Sequence, residues 1–236
     1  MIRYSKIVDK NPREILLLRG FGCRWRKCAF CDYHLDYSEN QAENLAINRE
    51  AMSHINGCYG RLEVINSGSF PELGESTLME LAELCKHKKI HTLYFECHYL
   101  YKKEIPHWRK IFKQIGTTLK IKTGIETFDY DFRENVLKKG IDEKSPQEIA
   151  KYFDECCLLF GLSGQTADSM IRDIETGLAF FERVCVNIFV ANKTKICPDK
   201  NVINEFIQKV MPEYINNKRV DILLNNTDFG VGGKEQ

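Results

Sequence analysis

Short apolar runs recur along this chain, and each is followed by a polar stretch with helical character. The runs are Ile15–Leu18, Arg61–Asn66, Ile90–Glu96, Leu119–Ile125, Cys156–Phe160 and Cys185–Val190, and Val220–Leu224 suggests a short seventh. Helices are expected over Asn44–Cys58, Glu75–Lys86, Lys102–Gln114, Asp129–Lys139 with Pro146–Phe153, Thr166–Phe181 and Val202–Tyr214. The runs are leucine-rich or β-branched and alternate little, the pattern of parallel strands buried on both faces. Strand–helix alternation of this kind selects an α/β class. Right-handed crossovers would curl the units into an open barrel or wind them into a doubly wound sheet. The expectation is a partial (β/α)6 barrel of mainly parallel strands, with function at the carboxyl ends of the strands.

A chain of 236 residues suits one domain spanning 1–236 and has enough residues for a sizeable core. The formal net charge of +1 points to neither nucleic acid nor a membrane surface as a partner. The first residues lack the apolar core of a signal peptide, and no run approaches the length of a membrane span. A cytoplasmic location is therefore expected. In that setting the ten cysteines read as a metal site where they cluster and as buried thiols elsewhere.

One tight group exists. Gly20-Phe21-Gly22-Cys23-Arg24-Trp25-Arg26-Lys27-Cys28-Ala29-Phe30-Cys31 follows the first strand and spaces its thiols C-x4-C-x2-C. Three thiolates from one loop can hold three irons of a 4Fe–4S cube, leaving the fourth iron open. Arg24, Arg26 and Lys27 would offset the charge of such a cluster. His34 could instead complete a Cys3His zinc site. Plain burial of three neighbouring cysteines is a further reading.

The loop resembles that of the radical S-adenosylmethionine superfamily, whose usual motif is C-x3-C-x2-C with an aromatic before the last cysteine. Phe30 takes the aromatic place, and one extra residue separates Cys23 from Cys28. Asn66-Ser67-Gly68-Ser69-Phe70 stands where the family has a Gly-Gly-Glu-like segment. Thr123-Gly124-Ile125-Glu126-Thr127, followed by Arg133 and Lys139-Gly140, is similar to the family's Gly-(Ile/Leu)-Glu stretch. Gly161-Leu162-Ser163-Gly164-Gln165-Thr166 is similar to its Gly-Leu-Pro-Gly-Gln-Thr.

The resemblance implies a 4Fe–4S cluster on Cys23, Cys28 and Cys31, with S-adenosylmethionine as second cofactor. It implies that Ser67, Gly68 and Ser69 meet the methionine amino group. Glu96 or Glu126 would take the ribose hydroxyls or the ammonium, and Arg133 the methionine carboxylate. Backbone at Gly161–Gly164, including Leu162, and at Val190–Asn192 would line the adenine. An electron donor such as flavodoxin or ferredoxin is an implied partner.

The small size and the run Cys28–Asp36 look similar to the queuine lyases of queuosine salvage. That likeness implies queuosine 5′-phosphate as a small-molecule substrate and queuine as product. A 7-carboxy-7-deazaguanine synthase, a glycyl-radical activating enzyme and a zinc-stabilised binding module are the rivals. Asp32 and His34 follow the cluster loop (20–36), while Asn225, Asn226 and Asp228 lie in a C-terminal segment (216–236) expected near the barrel mouth. These five are the expected substrate contacts, with Asp228 or a neighbouring Asn on the base. His34 or the Lys193–Lys195 pair is expected on the phosphate side.

Overall fold

The computed structural model describes residues 2–32 and 35–224. Its strands are β1 Tyr4–Ile7, β2 Arg13–Leu18, β3 Arg61–Asn66, β4 Thr92–Glu96, β5 Thr118–Glu126, β6 Glu155–Phe160, β7 Arg183–Ile188 and β8 Val220–Leu223. They are ordered in the sheet as in the chain. Every pairing from β2 to β5 and from β6 to β8 is parallel. Strand β1, which the sequence pattern did not indicate, pairs antiparallel on β2. The expected mainly parallel β/α order is thus present, with strands β2 and β6 buried along their whole length. No helix among the described residues is long and apolar enough to cross a membrane.

The helices begin where capping dictates. Helix α1 (Gln41–Ser53) starts earlier than its apolar pattern because the Asn40 side chain accepts from Ala42 N and Glu43 N. It ends at Ser53, not at Cys58, so Gly57 is free to turn with φ +79. Helix α2 spans Glu75–His87, and α3 (Ile105–Gln114) carries Pro106 in its first turn, where a missing N–H costs nothing. The expected helix over 129–139 is only one wide turn, Phe132–Val136, after which Lys138 and Gly140 take positive φ. Helix α4 (Pro146–Ala150) is capped by Ser145, and α5 (Ala167–Phe180) opens on a Thr166–Ser169 capping box. The last helical stretch runs as α6 (Lys200–Glu205), a wide turn Phe206–Val210 and α7 (Met211–Tyr214).

Contacts divide the chain into two compact units. The first holds residues 1–24 and 33–122, hence β1–β4, α1–α3 and the start of β5. Its core is a stack of Phe70 on Phe95 with Trp108 and Phe112 beside it. A buried charge triad lies across its strands: Glu63 Oε2 is 2.5 Å from Arg13 Nε and Oε1 is 2.6 Å from Lys122 Nζ. Burial disfavours that carboxylate, but the two cations outweigh it and hold its pKa at about 2. The second unit holds residues 25–32 and 123–236, hence the end of β5, β6–β8 and α4–α7.

Candidate functional site

The cysteine loop passes from one unit to the other, with Cys23 in the first and Cys28 and Cys31 in the second. None of the ten cysteines is in a disulfide; these three are half-buried, while Cys85, Cys97, Cys156, Cys157 and Cys185 are buried. Partial access is what a cluster ligand requires, and apolar burial is what an inert thiol shows.

In the first unit, Glu72 organises the carboxyl end of β3. Its Oε2 accepts from Ser69 N at 2.5 Å, and its Oε1 accepts from Arg24 N at 2.5 Å and Tyr101 Oη at 2.8 Å. One carboxylate therefore ties the start of the cysteine loop to the Ser-Gly-Ser segment. Gly68 allows the approach: a Cβ there would stand 2.1 Å from Glu72 Oε2 and 3.0 Å from Cys23 Cα. The Ser67 hydroxyl donates to Asp36 O, and the Ser69 hydroxyl accepts from His98 N at 2.9 Å. Asn66 Oδ1, buried at the end of β3, has no partner among the described residues. Glu96 is half-buried at the end of β4. Sequence reasoning missed Glu72, although the spacing Ser69-x-x-Glu72 is a capping box that could have disclosed it.

In the second unit, the rest of the loop lies on residues 137–140. Ala29 N donates to Leu137 O at 2.9 Å, and Trp25 Nε1 donates to Lys138 O at 2.9 Å. Phe30 is buried with Leu137, Leu159, Leu162 and Phe189, and Cys28 and Cys31 pack against this group. Burying that ring contributes roughly 1.5–3 kcal/mol to holding the loop in place. Asn192 Nδ2 donates to Phe30 O at 2.6 Å, and Asp32 Oδ2 accepts from Lys193 N at 3.0 Å. The turn bearing Leu162 is locked by Gln165, which accepts from Leu162 N and donates to Leu159 O.

Glu126 ends β5 with φ +69, an unfavourable conformation for a residue with a side chain. Its Oε1 lies 2.7 Å from Lys139 Nζ. Burial works against the lysine charge, yet Glu126 and the Cys28 and Cys31 sulfurs outweigh it and hold the ammonium far above its usual range. Lys139 also lies over the Phe30 ring, 5.7 Å from its centroid.

Arg133, the expected methionine-carboxylate contact, lies in the second unit. It is 0 % exposed. Its Nε pairs with Glu134 at 3.0 Å, and its Nη2 donates to Ile141 O at 3.2 Å and Glu143 O at 2.7 Å. The guanidinium braces the loop after the wide turn. Lys139 is a cation near Cys28 and Cys31 from outside their loop, a role the sequence did not assign to it. His34, Asn225, Asn226 and Asp228 lie outside the described residues.

The structure thus brings Cys28, Phe30, Cys31, Glu126 and Leu162 together in one unit, and Cys23 with Ser67, Gly68 and Ser69 in the other. Thiolates with a cation nearby are donor chemistry of the kind an iron–sulfur cube takes. Among the described residues no group of three His, Cys, Asp or Glu side chains gathers around a single ion.

No protein-family model and no curated protein sequence matches the chain. Solved structures do. SuiB from Streptococcus suis, bound to S-adenosylmethionine, superposes with a TM-score of 0.53 at 13% identity, over 91% of this chain and 51% of that one, a likeness of fold. The queuine lyase from Clostridium spiroforme, bound to S-adenosylmethionine and queuine, superposes with a TM-score of 0.92 at 44% identity, over 98% of this chain and 99% of that one. Likeness of that degree over essentially both full lengths places this chain in the queuine lyase family of radical S-adenosylmethionine enzymes.

Proposed function

We propose that the chain binds S-adenosylmethionine and acts as a lyase on queuosine 5′-phosphate, abstracting a hydrogen from its ribose and releasing queuine. The observation that carries the reading is the full-length likeness to a queuine lyase that holds both S-adenosylmethionine and queuine. When bound, a reduced cluster with an open iron supplies the electron that cleaves S-adenosylmethionine to methionine and a 5′-deoxyadenosyl radical.

The chain's own residues hold and orient the reactants. Cys23, Cys28 and Cys31 are the cluster ligands, within one short loop. Ser67, Gly68 and Ser69, braced by Glu72, receive the methionine amino group, whose protons suit oxygen acceptors. Glu96 and Glu126 suit the ribose hydroxyls. The turn at Gly161 and Leu162 lines the adenine, and Phe30 excludes water from the cluster side. Asp32, with one carboxylate oxygen on Lys193 N, and His34, Asn225, Asn226 and Asp228 are assigned to the substrate. A low-potential donor such as flavodoxin or ferredoxin supplies electrons, and the enzyme works in the cytoplasm.

The test is anaerobic turnover of the reconstituted enzyme with queuosine 5′-phosphate, followed by mass detection of queuine and 5′-deoxyadenosine. Both should accumulate together. Formation of 5′-deoxyadenosine with no queuine would overturn the substrate assignment.

A further inference from the structure

Lys139 is a largely buried cation, its side chain 12 % exposed, with neighbours of opposite chemistry. On one side it is fixed at 2.7 Å by Glu126 Oε1. On the other it feels the sulfurs of Cys28 and Cys31, and its ammonium stands over the Phe30 ring against which both cysteines pack. Several costly features serve this arrangement. Glu126 adopts φ +69. Gly124 leaves room for the pair, since a Cβ there would stand 2.5 Å from Glu126 Oε1 and 2.8 Å from Lys139 Nζ and would displace one or both. Gly140, the next residue after Lys139, has φ +73 and also lacks room, because Trp25 occupies the space of its Cβ. A surface ion pair would need none of this.

We propose that Lys139, held by Glu126, is a positioning residue that sets the reduction potential of the cluster carried by Cys28 and Cys31. Adding an electron to a thiolate-ligated cube makes it more negative, and a fixed cation in a poorly solvated place stabilises that form most. Glu126 holds the ammonium against the loop and, as an anion, trims its effect. The pair therefore adjusts how readily the donor's electron arrives. The inference rests on the reading that these cysteines hold a 4Fe–4S cluster.

The test is a potentiometric titration of the reconstituted full-length enzyme, followed by the electron-paramagnetic-resonance signal of the reduced cluster, without S-adenosylmethionine. Omitting that cofactor separates an effect on the cluster from an effect on cofactor binding. Lys139→Met should lower the midpoint so that, at a fixed solution potential, the reduced-to-oxidised ratio falls about tenfold, equivalent to about 59 mV for one electron. Lys139→Arg should stay near wild type, and Glu126→Gln should shift the midpoint upward. An unchanged midpoint in a cluster-loaded Lys139→Met variant overturns the inference. If that variant holds no cluster, the other two decide: a Glu126→Gln midpoint at or below wild type, or a Lys139→Arg midpoint as low as that expected for the methionine variant, also overturns it. Absence of iron and sulfide from the reconstituted wild-type protein would sink the cluster reading itself, a distinct outcome.

Discussion

Trp25 packs directly on the backbone of Gly140: a Cβ at position 140 would stand 2.2 Å from Trp25 Cζ2. With the Trp25 indole also donating to Lys138 O, this contact anchors the loop that carries Cys28 and Cys31.

Gly140→Ala meets two penalties, the indole and a left-handed backbone at φ +73. The expected cost is about 1–3 kcal/mol, seen as a lower Tm of the apo-protein. Iron per chain after anaerobic reconstitution should fall as well. Wild-type values for both would show that the loop does not depend on this contact.

Gly68→Ala forces a methyl group toward Cys23 backbone and the Glu72 carboxylate. The carboxylate can swing aside, but the Cys23 backbone cannot without moving the thiol. Circular dichroism should report a folded chain, while S-adenosylmethionine affinity, measured by calorimetry on the reconstituted protein, should drop at least about tenfold, or about 1.4 kcal/mol. An unaltered affinity would remove this segment from the cofactor site.

Cys28→Ala should abolish cluster assembly and 5′-deoxyadenosine formation, because an open-iron cube has no spare protein ligand. Cys85→Ala is the control. Burial alone pushes the Cys85 thiol up to about 12, so it is inert, and its loss should cost about 1–2 kcal/mol of packing with the cluster intact. Loss of iron from the Cys85 variant would mean that the ligands were wrongly chosen.

Asp173 on α5 accepts from Phe128 N at 2.8 Å, just past β5. Burial raises its pKa to about 6, with the hydrogen bonds from Phe128 and Thr127 opposing. The folded pKa exceeds the unfolded one, so between about pH 4 and 6 the native chain keeps a proton that the unfolded chain has lost. Stability from this residue is complete below pH 4, declines as pH rises through 6 and is flat above, a change of order 3 kcal/mol. Asp173→Asn keeps an acceptor for Phe128 N and should erase that decline. The stability difference between variant and wild type, from urea unfolding at pH 4 and pH 8, should therefore grow with pH; a constant difference would disprove the linkage.

Glu63→Gln removes the buried carboxylate that both Arg13 and Lys122 face. The expected loss is about 3–5 kcal/mol, readable as a lower urea midpoint.

The strand–helix order was legible because it is written in local terms: continuous apolar runs such as Leu16–Leu18 and Leu158–Phe160 demand burial on both faces wherever they sit. The cysteine spacing was legible for the same reason, since ligands on one loop are brought together by chain length alone. Strand β1 was not, because its residues are only partly buried and it is held by pairing with β2. Nor were the different surroundings of Arg133 and Lys139. Both are cations in one expected helix, and nothing in their neighbours distinguishes them. That helix gives way to a single wide turn, and left-handed backbone at Lys138 and Gly140 redirects the chain under Trp25. Arg133 is thereby turned onto the carbonyls of Ile141 and Glu143, and Lys139 onto Glu126 and the cysteines. Sequence by itself determined the parallel strand–helix order and which thiols share one loop. Tertiary packing alone decided which cation stands beside them, because that choice depends on contacts between segments more than a hundred residues apart.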